Sequence, residues 1–160
     1  MKNNIFNKVY EENKKLDKIF IDKYYHDDFV KKNKLELLVE IAELANETRC
    51  FKYWSKKEIE YKLVGYELSD TIIMSLCFFN YLNIDINEVS IYKVDKSNLD
   101  LFFEIYDLAN NFVKTEDKDL IIKIFVLLIN IGYNLGFSDD DIIKYCQDKI
   151  NKDMERLNKC

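Results

Sequence analysis

Apolar side chains recur at helical spacing along almost the whole chain. Residues 9 to about 25 place Val9, Leu16, Ile19, Phe20 and Tyr24 on such a period, which predicts a first helix. Residues 34 to about 51 predict a second. Residues 57 to about 82 predict a third, which becomes apolar nearly all round after Asp70 in TIIMSLCFFNYL. A helix of that kind is buried on most sides. The stretch NIDINEVSIYKV has no clear period and reads as a turn with a short helix or strand. Residues 97 to about 113 return to helical spacing. Thr115 reads as the N-cap of the next helix, with Glu116 and Asp117 placed to meet its dipole. That helix runs to about residue 134, and Gly136 is suited to end it. Ser138 and Asp141 have the spacing of a capping box for a last helix over 139 to about 158. The sum is an all-α bundle of five or six helices in a single domain spanning 1–160.

Composition agrees. The chain has no proline and three glycines among 160 residues, too few for a sandwich or barrel built on tight turns. With 48% apolar and 33% charged residues it is globular rather than disordered. The net charge of −5 is spread along the chain with no basic block, which argues against a nucleic-acid partner. Lys31, Lys32 and Lys34 read as a solvated loop. No segment offers the roughly 18 uncharged apolar residues of a membrane span, and the N-terminal residues lack the apolar run of a signal peptide. The expected location is therefore cytoplasmic. Cys50, Cys77, Cys146 and Cys160 form no C-x-x-C pair and have no histidine beside them, so reduced thiols are expected and a zinc site is not. The lone His26 reads as a surface residue.

The candidate chemistry lies in the acidic residues. Glu36, Glu40, Glu43 and Glu47 recur at intervals of four, three and four, which stacks them on one helix face where like charges repel. Glu67-x-x-Asp70 repeats the Glu40-x-x-Glu43 spacing at the start of the buried third helix. A tight antiparallel turn between these helices brings the two pairs together. Carboxylates meeting in a partly buried place require protons or cations. Without the histidines of a di-iron bundle, Mg²⁺ or Mn²⁺ is the better match. Such a centre suits phosphate esters, because the metal bridges phosphate oxygens and acidifies bound water. The alternative is a pair of solvated helix faces. Cys77, Phe78 and Phe79 read as core, and Phe102, Phe103 and Tyr106 as core or dimer interface.

The words around these residues are more specific. LLVEIAELANETRCFKYWSKK followed by YELSD resembles the dimeric all-α dUTPases, relatives of the MazG-like nucleoside triphosphate pyrophosphatases. NKKLD near the N-terminus and YCQDKINKDMER near the C-terminus are similar to further family motifs, so the likeness covers most of the chain. The resemblance implies a homodimer that hydrolyses dUTP to dUMP and pyrophosphate with Mg²⁺. It implies Glu40, Glu43, Glu67 and Asp70 as metal ligands, with Glu40 activating the attacking water and Glu47 a further ligand or a support for one. It places Asn13, Asn46, Trp54, Lys56, Lys149, Asp153 and Arg156 on the substrate: Trp54 against the nucleoside, the cations on phosphates. The chain departs from the pattern where the family has a histidine (here Ile73), a glutamine (Asn13) and two asparagines (Ile150 and Asp153). These departures leave open a diphosphatase for another or modified nucleotide, or a non-catalytic nucleotide-binding dimer.

Overall fold

A computed structural model describes residues 4–159, and among these there are six α-helices and no strand. They are α1 (Asn7–Tyr24), α2 (Phe29–Thr48), α3 (Tyr61–Tyr81), α4 (Asn98–Thr115), α5 (Lys118–Asn134) and α6 (Asp139–Lys159). Cys160, read with the other cysteines from the sequence, lies outside the described residues.

The two most apolar helices, α3 and α5, pack on each other at the centre. Around α3 stand α1, α2 and α6, and α4 closes the bundle against α5 and α2. One connected core joins them, with Phe6, Tyr10, Phe79, Phe112 and Phe125 among its largest buried side chains. Two glycines set how closely α3 and α5 meet α6. A Cβ on Gly65 would stand 2.4 Å from the Tyr145 ring, and one on Gly132 would stand 2.8 Å from Ile142 Cδ1.

Several helix ends differ from the sequence expectation, each for a local reason. The second helix starts earlier, so Lys31, Lys32 and Lys34 lie in α2 rather than in a loop. Lys34 pairs with Glu116 at 2.9 Å, which ties α2 to the end of α4. At its far end α2 stops at Thr48, because Arg49 adopts the left-handed conformation (φ 58°). Residues 49–60 then form a loop held by Arg49, whose Nη2 donates to Ser55 Oγ at 2.7 Å and whose Nε donates to the Lys57 carbonyl at 3.2 Å. This shortens the start of the third helix to Tyr61. Thr115 is the last residue of α4 rather than a cap. Glu116 turns left-handed, and Asp117 caps α5 by accepting from Asp119 N at 2.9 Å.

The ambiguous stretch before α4 is a single 3₁₀ turn, Ile86–Glu88, followed by extended chain. Asn130 of α5 satisfies that chain in place of a strand partner. Its Nδ2 donates to the Tyr92 carbonyl at 2.8 Å, and its Oδ1 accepts from Val94 N at 2.7 Å. The last cap is as expected: Asp141 N donates to Ser138 Oγ at 3.1 Å and Ser138 N to Asp141 Oδ2 at 2.9 Å. Gly136, at φ +88°, makes the turn before it.

Candidate active site

Helix α2 buries Leu37, Ile41, Leu44 and Thr48 against the core. The glutamate face lies beside that stripe and turns toward α3. Residues Glu67 and Asp70, at the start of the buried part of α3, project from the facing surface. A buried hydroxyl sets the register between them. Thr71 Oγ1 lies 2.8 Å from the Glu67 carbonyl and 3.2 Å from the Glu40 carbonyl, so its one proton is shared between the two helices.

Carboxylate oxygens of Glu40, Glu67 and Asp70 consequently converge to within 4.8 Å of one another. Among the described residues, Glu40 Oε2 and Glu67 Oε2 are buried and have no hydrogen-bond donor. Burial, then the neighbouring charges of Asp70, Glu43, Glu67 and Glu36, push the Glu40 carboxyl up to about 8. Glu67 and Asp70 are raised as well, again chiefly by burial. For Asp70 that cost exceeds the help of Lys149, whose Nζ stands 3.2 Å from Oδ1 as an ion pair rather than a well-directed hydrogen bond. Burial also opposes the charge on Lys149, but Asp70 and Asp153, the latter at 3.3 Å, hold its affinity for the proton above the ordinary value. Arg156 Nη1 reaches Asp153 Oδ1 at 3.8 Å, leaving a largely exposed guanidinium.

The donor set is all oxygen, with two buried carboxylate oxygens lacking a partner. A hard divalent cation fits such a set, since it supplies the missing charge without requiring protonation.

Glu43 is not brought into the three-way contact. Its side chain is exposed, although its charge bears on Glu40, Glu67 and Asp70. Glu47, half-buried one turn on, bears on Glu67.

Glu40 and Asp70 stand in one wall of a cavity of about 640 Å³ between α1, α2, α3 and α6, which Glu67, Glu43 and Glu47 do not line. Asn13, Glu36, Glu40, Asp70, Lys149, Asp153 and Arg156 all line it. Glu36 thus shares the space of Glu40 and Asp70 rather than standing apart as a solvated residue. Ile73 lines it as well, whereas Ile150 is buried outside it. Asn46, Trp54 and Lys56 do not line it. Asn46 is exposed near the end of α2. Trp54, 64% exposed, and the exposed Lys56 sit on the 49–60 loop, where Trp54 packs against Phe51 and Tyr53.

Away from the carboxylates the cavity is walled by Phe20, Phe29, Phe78 and Tyr81, with one polar group of four residues among them. Cys77 Sγ donates to Asp17 Oδ1 at 2.9 Å, Asn80 Nδ2 donates to Asp17 Oδ2 at 3.3 Å, and Asn13 Nδ2 donates to Cys77 Sγ at 3.6 Å. Burial pushes the Asp17 carboxyl up to about 6, against the help of the Cys77 and Asn80 hydrogen bonds. Cys77 is therefore part of the cavity wall, not simply core. Its place was legible only as one polar atom in the apolar run of α3, a weak signal without the α1 residues opposite.

A protein-family model described as dUTPase matches residues 5–160. No curated protein matches the chain.

Proposed function

Since the chain belongs to the dUTPase family and carries its dUTP diphosphatase activity, we propose that the cavity between α1, α2, α3 and α6 is where dUTP is split. In this reading Glu40, Glu43, Glu67 and Asp70 hold divalent cations, Mg²⁺ in the first place and Mn²⁺ as a substitute, with Glu47 supporting them. The observation that carries it is the convergence of three carboxylates, two of them with a buried, donorless oxygen, at a nucleotide-sized cavity whose wall includes Glu40 and Asp70. A divalent cation held by these carboxylates would neutralise the cluster and supply Lewis acidity for the phosphate and an acidified water.

The chain's own residues do the rest. The Glu40 carboxylate accepts the proton of the water that attacks the phosphoanhydride, since it lies at the centre of the cluster in the cavity wall. Lys149 and Arg156 clamp the charge that spreads over the phosphates, as phosphoryl transfer requires. Both are held at the cavity rim through Asp153, and the exposed Arg156 can leave that partner for a phosphate at small cost. Asn13 and the aromatic wall receive the nucleoside. Trp54 and Lys56, on the 49–60 loop, and Asn46, on α2, lie outside the cavity and would meet the nucleotide only where it extends beyond it. The reading also takes the enzyme as a cytosolic homodimer.

The test is turnover of a panel of deoxynucleoside triphosphates by the purified protein with Mg²⁺, read as monophosphate and pyrophosphate. Release from dUTP at the highest kcat/KM, lost with chelator and restored by Mg²⁺ or Mn²⁺, is the expected result. Chelator-resistant turnover removes the metal assignment, and a higher kcat/KM on another triphosphate reassigns the base.

A further inference from the structure

Asn13 is fully buried and lines the cavity, yet its Oδ1 has no hydrogen-bond donor among the described residues. Its orientation is not arbitrary. The Cys77 thiol has one proton, and Asp17 Oδ1 takes it at 2.9 Å. The sulfur facing Asn13 can then only accept, so the amide presents Nδ2 to it at 3.6 Å and turns Oδ1 away. The opposite amide orientation would set two acceptors against each other. Asn80 Nδ2, donating to the other Asp17 oxygen at 3.3 Å, keeps that carboxylate in its accepting role. The four side chains form a directed chain of hydrogen bonds that ends on one unfilled acceptor, Asn13 Oδ1.

We infer that Asp17 and Cys77 are positioning residues that lock Asn13 as a hydrogen-bond acceptor, and that this polarity makes the cavity select a base carrying an N–H at that point, uracil over cytosine. The inference rests on the reading that the nucleotide lies in this cavity with its phosphates at the carboxylates. The spacing along α3 agrees: Cys77 is seven residues beyond Asp70, a rise of about 10 Å, which sets the polar group one nucleoside away from the phosphate end. Uracil offers N3–H, whereas cytosine offers a bare acceptor at N3. Two buried acceptors left facing each other cost far more than a missing contact. Cys77 acts only through Asn13 and does not itself touch the base.

The experiment is calorimetric titration of dUMP and dCMP into the full chain with Mg²⁺ at neutral pH, which needs no turnover. The unmodified protein is expected to bind dUMP more tightly than dCMP. Cys77→Ala removes the sulfur that orients the amide, so dUMP binding should weaken about tenfold with dCMP little changed. Cys77→Ser, which still donates and accepts, should stay within about threefold of the unmodified protein. Cys77→Val, of similar volume, takes the place of Cys77→Ala if that variant fails to fold. A dUMP preference unchanged in Cys77→Ala or Cys77→Val overturns the inference, as does one unchanged in Asn13→Leu. Pyrophosphate release from dUTP is measured in parallel. If release fails while the binding preference follows these substitutions, the catalytic reading falls and the positioning inference stands.

Discussion

At the scale of single residues, burial sets the carboxylate cluster against its own charge in the metal-free molecule. Glu40 has an ordinary value of 4.5 and is raised to about 8 in the fold. Between those values the folded protein binds more protons than the unfolded chain, so stability must fall as pH rises through that window. The metal-free protein is therefore expected to melt at progressively lower temperature from about pH 5 to about pH 8. Saturating Mg²⁺ should flatten that slope and release protons on binding. A melting temperature independent of pH in chelator would contradict the geometry. Glu40→Gln removes the repelling charge and keeps the shape. It should raise the metal-free melting temperature near pH 8 while lowering kcat/KM by about a thousandfold. A variant that loses activity without gaining stability would place Glu40 outside the repelling cluster.

At the scale of elements, the site depends on how near α6 comes to α3, and Gly65 sets that distance. Gly65→Ala drives a methyl group into the Tyr145 ring, with the nearest ring atom at 2.4 Å. The expected cost is about 1–3 kcal/mol of stability. Because Lys149 lies one turn beyond Tyr145 and pairs with Asp70, kcat/KM should fall with it. Ser138→Ala is the contrasting change. It deletes one half of the α6 capping box at the far end of the helix, for about 1 kcal/mol. Activity at a temperature where both variants are folded should remain near that of the unmodified protein for Ser138→Ala and not for Gly65→Ala. Equal activities would show that α6 does not position the site.

At the scale of the whole molecule, exposed apolar side chains on α2 and α4 are where the proposed homodimer is to be tested. Leu35 and Val39 lie four residues apart on α2, Leu99 and Phe103 four apart on α4, and these helices pack together. Phe103 is 71% exposed. The proposed homodimer draws on these exposed side chains of α2 and α4. Leu35→Asp with Phe103→Asp should convert the sedimenting species to the monomer mass, and an unchanged mass would move the interface elsewhere. Much of this molecule was legible in one dimension. The period of apolar residues marked all six helices, and the Ser138–Asp141 box marked one boundary to the residue, because capping is a local interaction. The ELANETRCFKYWS block carried the family, and two acidic pairs marked the chemistry. One miss was local: Thr115 reads as a cap, but Glu116 turns left-handed and Asp117, two residues on, caps α5 instead. The others were governed by partners distant in sequence. The stretch before α4 reads as a turn with either a short helix or a strand, and Asn130 decides it by supplying the hydrogen bonds a strand partner would have given. Helical spacing places Glu36, Glu40, Glu43 and Glu47 on one face with equal claims. Only the packing of α2 on α3 decides that Glu40 meets Glu67 and Asp70 while Glu43 stays in water. The chain by itself determined which residues could carry charge to a common face. Tertiary structure decided which of them lose their water, and desolvation, not spacing, turns a row of carboxylates into a candidate cation site.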